Sequence, residues 1–322
     1  MKLLRSFIAS LTLLYTALGV ANSLPEVKLA ALKFGTVKWE LETIKRLQLD
    51  HKHGFDLTIV DVAGKQASTL SIQNDAVDVI VTDWIWVANQ RTEGKNYQFI
   101  PYSKAVGSLM VGPDSAITTL NDLQGKRIGI AGGPVDKSWI VIQAIAKKRY
   151  GIDLAAQNEL VFGAPPLLFK QALSGEIDAV INFWHFLAKL EAKGFQRVVD
   201  VQDAAVELGL SSDTPLLGYV FKESWVLKHR ALAEGLRQAS QEAKQILIAD
   251  NAAWEPLKPL IKAKTANEFE TLRAAWKQGA PSDSFDFQSA QAMFDLMRIY
   301  GDGKLIKKDT VLDRGAFFAI SE

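Results

Sequence analysis

The chain has no cysteine among its 322 residues. That absence excludes disulfides, thiolate metal sites, a cysteine nucleophile and a lipid-modified cysteine behind a leader. Histidine is scarce, with four copies; the close pair His51 and His53 brings no further ligands with it, so no metal site is expected. Net charge is nearly absent as well. The 37 Lys and Arg stand against 36 Asp and Glu, which gives no overall field for nucleic acid or anionic lipid. Enzyme signatures are missing: there is no G-x-S-x-G elbow, no G-x-x-x-x-G-K-[ST] loop and no H-E-x-x-H pair. Neither catalysis nor a cofactor is expected.

One apolar run is present near the start, from Phe7 to Val20, with Lys2 and Arg5 ahead of it and no acidic residue in it. Small residues follow at Gly19-Val20-Ala21 and Ala21-Asn22-Ser23. This pattern predicts a cleaved secretory leader over residues 1–21. A membrane anchor would need about 20 apolar residues, and this run is shorter and carries Ser10, Thr12 and Tyr15. Loss of Lys2 and Arg5 tips the mature chain to one excess negative charge. A free, soluble, exported protein with no lipid attachment would be retained by a Gram-negative periplasm, and a monomer is expected there. The remaining length of about 300 residues fits one large or two medium domains.

Two segments 100 residues apart echo each other: Val77-Asp78-Val79-Ile80-Val81-Thr82-Asp83-Trp84 and Ile177-Asp178-Ala179-Val180-Ile181-Asn182-Phe183-Trp184. Each reads as a short buried strand entered by an aspartate and left by a tryptophan. The chain builds one α/β unit twice. Strand, turn and helix alternate from Val27 to Gly94, with strands at Val27–Leu32 and Phe55–Ala63, predicting a parallel sheet covered by helices. The second unit repeats this from the strand Arg127–Ala131, through a helix from about Val135 to Tyr150, to the echo strand. Between the units the chain is extended from Tyr97 to Val111, and again near Thr214 to Phe221, so two crossings form a double hinge. From Ser224 the sequence is mostly helical, a tail that would finish the first lobe and brace the hinge.

Three short motifs carry a family resemblance: Leu32-Lys33-Phe34-Gly35-Thr36, then Gly125-Lys126-Arg127-Ile128-Gly129-Ile130, then Ala172-Leu173-Ser174-Gly175-Glu176-Ile177-Asp178-Ala179. In this order and spacing the chain, from about residue 26 to 225, resembles the periplasmic solute-binding proteins of ABC importers. The closest subgroup is that of the nitrate, sulfonate, taurine and thiamine-precursor binders. The resemblance implies an α/β protein of the type II periplasmic binding fold: two doubly wound lobes joined by a double hinge, with a helical C-terminal tail. On this basis lobe I spans 24–107 and 219–322, and lobe II spans 108–218. It further implies closure over one small solute and delivery to a membrane permease. A periplasmic sensor or accessory using the same closure is the alternative. A catalytic branch, the fungal pyrimidine-precursor synthases, carries a cysteine-rich motif and no export signal, and this chain departs from it on both counts.

Ligands of open parallel sheets gather beyond the carboxyl ends of the strands. Trp39 and Trp84 fall there in lobe I, Trp139 and Trp184 in lobe II; they either wall a cleft around a flat or apolar solute or plug the core. Gly35, Thr36 and Gly133 lie in turns just ahead of helices, where backbone N–H groups receive anionic oxygens or simply make turns. Asp83, Glu40 and Asp136 would attract an amine or an aminopyrimidine, which tilts the expectation toward a nitrogenous solute over a sulfonate; Asp83 alternatively caps the next helix. His185 either hydrogen-bonds solute or is structural. Tyr102 and Ser103 would reach the cleft as donors.

Overall fold

The computed structural model describes residues 23–104, 107–282, 285–301 and 303–318. The expected leader, 1–21, lies outside the described residues, as do residues 105–106 of the first crossing. Two five-stranded sheets form the frame. The first has the order β2 (Asp56–Val62), β1 (Glu26–Leu32), β3 (Val79–Asp83), β10 (Leu217–Lys222), β4 (Tyr97–Ser103). The second runs β7 (Glu159–Gly163), β6 (Arg127–Ala131), β8 (Ala179–Ile181), β5 (Ser108–Val111), β9 (Gln196–Asp200).

The two sheets share one plan, and it is mixed where alternation of strand and helix predicted a parallel sheet. In each, the fourth strand is antiparallel to both neighbours: β10 against β3 and β4, β5 against β8 and β9. These are the strands that follow the two crossings. The extended run 97–111 is therefore two strands in different sheets, and each lobe receives one strand directly after the chain arrives from the other. Gly218 sits at a register shift of β10 against β4. A Cβ there would lie 2.2 Å from Phe99 Cε2 and 2.3 Å from Ile100 O, so no side chain fits.

The echo aspartates do one job twice. Asp78 accepts from the Lys28 backbone N–H at 2.8 Å, and Asp178 accepts from the Arg127 N–H at 2.8 Å. Each pins the start of its strand to the neighbouring parallel strand, which explains why an aspartate precedes both runs.

Helices cover the sheets: α1 (Val37–Arg46), α2 (Lys65–Gln73), α3 (Trp84–Thr92), α4 (Lys137–Tyr150), α5 (Pro165–Ser174), α6 (Trp184–Glu191) and α7 (Val201–Glu207). The tail supplies α8 (Arg230–Ala249), α9 (Ala266–Gly279) and α10 (Phe287–Tyr300). Helix α8 packs on α1 of the first unit, whereas α9 packs on α6 and α10 on α4, both in the second. The tail thus braces both units. At the end of α9, Gly279 O accepts from Lys104 N at 2.8 Å and Ser103 Oγ at 3.3 Å, which stitches the tail to the first crossing. No helix among the described residues is long and apolar enough to cross a membrane.

Candidate ligand-binding cleft

The segments that follow the carboxyl ends of β1, β3, β6 and β8 touch in two places: Lys137, after β6, reaches Asp83 at the end of β3, and Trp184, after β8, meets Trp39 on α1, after β1. After β1 the turn Lys33-Phe34-Gly35-Thr36 is closed by a Gly35 N–H to Leu32 O bond of 2.8 Å. It leaves Phe34 82% exposed. After β6, Gly132 and Gly133 have φ of 93° and 82°, values that favour glycine. They fold the turn back on Asp136, which caps α4 by accepting from Trp139 N at 3.1 Å. A Cβ on Gly132 would stand 2.8 Å from Asp136 Oδ2.

Asp83 ends β3 and is buried. Its Oδ1 caps α3 by accepting from Trp86 N at 2.9 Å, so the capping role holds. Its Oδ2 receives Lys65 Nζ at 3.3 Å from α2 and Lys137 Nζ at 3.1 Å from α4. The second of these spans the two units. Burial by itself would raise this carboxyl, but the Lys137 and Lys65 charges and the Trp86 N–H outweigh it and hold Asp83 well below the usual carboxylate range. Asp83 is therefore ionised and already neutralised. Glu40 is likewise unavailable to a solute, buried against Lys244 at 2.8 Å. Asp136 is raised by burial and serves as the cap of α4. Two of the three carboxylates expected to attract an amine, Asp83 and Glu40, are thus already paired with lysines.

Trp39 and Trp184 meet edge to face across the units, with centroids 5.7 Å apart. The contact continues to Trp254 at 6.1 Å from Trp39, and from there to Trp276 at 5.2 Å. Trp184 is partly exposed and, with Ser108, Arg197, Gln202 and Gln278, lines a small cavity under α9. Trp84 and Trp139 differ from the expected cleft walls. Both are core residues, Trp84 with its Nε1–H on Pro215 O at 2.8 Å and its ring against Phe294 and Phe317. The tail covers the inner faces of α3 and α4, so neither ring is presented to a solute in this conformation. Tyr102 is also buried, 5.4 Å from the Tyr219 ring, and Ser103 serves the tail.

His185 is partly exposed, its ring 4.5 Å from that of Phe186 and tilted by 41°. Burial first, then the Lys189 charge, lower it from 6.5 to about 4, so the ring is neutral at pH 7. Unfolded imidazole takes its proton near 6.5, so the unfolded chain binds more protons as pH falls, and stability is lost between about pH 6.5 and 4. His185→Gln is expected to flatten the fall in Tm over that window by a few degrees. An unchanged slope in a calorimetric pH series would count against this environment.

Lys65, Lys137, Phe34 and Phe183 were not singled out from the sequence. A signal was available for the lysines. Each occupies the first position of its helix, where the macrodipole disfavours a cation, so a compensating partner had to be near. His51 joins Asp50 and Asp56 in one cluster, but Lys45 Nζ bonds both carboxylates at 2.8 Å and holds the place a metal cation would take.

A family model described as NMT1/THI5 like matches residues 51–253, more than half of the chain. The chain belongs to the NMT1/THI5-like family. No curated protein sequence matches it. Among solved structures the chain is similar to the alkanesulfonate-binding protein SsuA from Xanthomonas axonopodis pv. citri bound to MOPS. The identity is 15%, with 92% of this chain and 99% of that chain covered, at a TM-score of 0.70. It is also similar to the periplasmic aliphatic sulphonate binding protein SsuA from Escherichia coli, at 14% identity, 93% and 94% coverage and a TM-score of 0.72. The desulfurization enzyme DszB shares the fold too, at 15% identity, 91% and 96% coverage and a TM-score of 0.59. This NMT1/THI5-like protein thus has the two-lobed periplasmic binding fold, with two α/β sheets and flanking helices.

Proposed function

We propose that this protein is the solute-binding component of an ABC importer, exported to the periplasm, closing over one small organic solute and presenting it to a membrane permease. The observation that carries the reading is the pair of contacts across the strand ends, Lys137 to Asp83 and Trp184 to Trp39. Contacts of this kind exist only when the lobes are together, and a solute reaching both lobes favours that state. The lobes on this reading are 24–107 with 219–322, and 108–218. On this reading the residues offered to solute are Gly35, Thr36, Asp83, Gly133, Trp184 and His185, with the buried Trp39 backing Trp184. The likeness to sulfonate-binding proteins supports a binder, and the lack of any cysteine supports binding over the chemistry of DszB, which was studied as a cysteine-to-serine variant with biphenyl-2-sulfinic acid.

The test is thermal unfolding and tryptophan emission with a library of sulfonated, nitrogenous and carboxylated solutes. At 100 times its Kd a ligand adds about 2.7 kcal/mol, a Tm rise of several degrees. Emission is expected to change with it, because Trp39 and Trp184 move relative to each other on closure. No response across the library would overturn the reading.

A further inference from the structure

We infer that helix α9 is a strap laid across the two units, held by a latch at Asp213, and that release of this latch lets α6 swing away from it. The strap does not depend on what is bound; its use as a gate on solute entry rests on the solute-binding reading above. Helix α9 is fastened at both ends. At its start Asn267 Nδ2 donates to Ala192 O, just past α6, at 3.0 Å, and the buried Glu268 faces Lys189 of α6 at 3.7 Å. At its end Gly279 O takes the two bonds from Ser103 and Lys104, where β4 leaves the first sheet. Its 14 residues span about 20 Å between these fastenings.

The two sides of the strap are held differently. Phe269, Leu272 and Trp276, on one face of α9 at helical spacing, share an apolar cluster with Trp39 of α1 and with Leu247 and Trp254 of the tail. Helix α6 gives that cluster one buried side chain, Ala188, with Trp184 at its edge. The bulky side chains of the strap are therefore committed to the first unit. What ties it to α6 is a methyl group, a ring edge and two polar contacts that water replaces on parting. The seam runs between α9 and α6.

Asp213 lies on the second crossing. Its Oδ1 accepts from Lys104 Nζ of the first crossing at 3.0 Å, and its Oδ2 accepts from Ser282 Oγ of the tail, just past α9. One carboxylate thus joins both crossings to the tail, and these segments must slide past one another when the units rotate. The Asp213 side chain is 42% exposed. A partly exposed pair holds weakly, so this latch opens well short of unfolding, unlike the buried Glu40 and Lys244 pair.

The chain has no cysteine, so a single introduced thiol reports on its own position. Ala188→Cys places one at the seam, and Ala239→Cys places one on α8 in a separate apolar cluster; both positions are buried. With a chromogenic disulfide reagent the Ala188→Cys thiol is expected to react severalfold faster than the Ala239→Cys thiol, which waits for global unfolding. Adding Asp213→Ala is expected to speed the first severalfold, the size of effect a partly exposed pair supplies, and to leave the second unchanged. Equal rates at the two positions, or no acceleration by Asp213→Ala, overturns the strap. If Ala188→Cys does not fold, small-angle X-ray scattering of Asp213→Ala alone decides: a larger radius of gyration at unchanged Tm supports the latch, and an unchanged radius overturns it. No solute enters these measurements. A seam that opens as expected, beside a solute library that gives no response, leaves the strap standing and the binding reading refuted.

Discussion

Lys244→Met is expected to cost about 3–5 kcal/mol of stability, the range for removing one partner of a buried ion pair. Glu40 is fully buried on α1, and Lys244 of α8 is the cation beside it. Tyr219 and Ser240 donate to the other carboxylate oxygen at 2.7 and 2.6 Å. Lys244 also donates to Ser240 at 2.6 Å and lies 4.8 Å over the Tyr102 ring. Burial, followed by the Glu40 charge, raises both tyrosines well above their usual range, so both stay neutral beside the carboxylate and neither supplies a charge in place of the ammonium. Without the lysine, the fully buried Glu40 has no cation beside it. The double variant Glu40→Gln, Lys244→Met should recover much of the loss, because it removes both charges. Urea unfolding measures both, and a single-variant cost under about 1 kcal/mol would show that water reaches this pair.

Trp84→Ala should cost a similar amount, about 3–5 kcal/mol, and lower Tm by roughly 10 °C. Its ring fills space between β3, α10 and Phe317, and its indole N–H satisfies Pro215 O on the second crossing. The cavity left behind is walled by elements from three parts of the chain, which cannot all collapse into it. Trp184→Ala is the contrast. That ring is partly exposed, so the stability loss should be much smaller, while the emission change on adding solute should largely disappear. Equal effects of the two substitutions on stability, measured by calorimetry, would contradict their different burial.

The echo motifs show how far the sequence carries. The aspartate, the apolar strand and the small turn before it are local features, and Asp78 and Asp178 make the same bond at the same 2.8 Å in both sheets. A strand's periodicity and its entry bond depend on residues close in sequence and on one neighbouring strand. The tryptophans that close the two motifs depend on more. Trp84 became core because α10 and Phe317, over 200 residues later, cover it, whereas Trp184 meets Trp39 and keeps an open edge. The tail's plain helical sequence gives no sign of which lobe its helices will pack on.

By itself the sequence determined the two α/β units, the double crossing and the family, because hydrophobic period, turn residues and short motifs are set by near neighbours. Only the tertiary structure decided which charges at the strand ends are already paired. Asp83, Glu40 and Asp136 are three acidic letters, but what they offer a solute depends on Lys65, Lys137 and Lys244, brought in from elsewhere in the chain. A carboxylate's chemistry is fixed by its partners in space, and partners such as Lys137, 54 residues from Asp83, and Ser240, 200 residues from Glu40, are chosen by the fold.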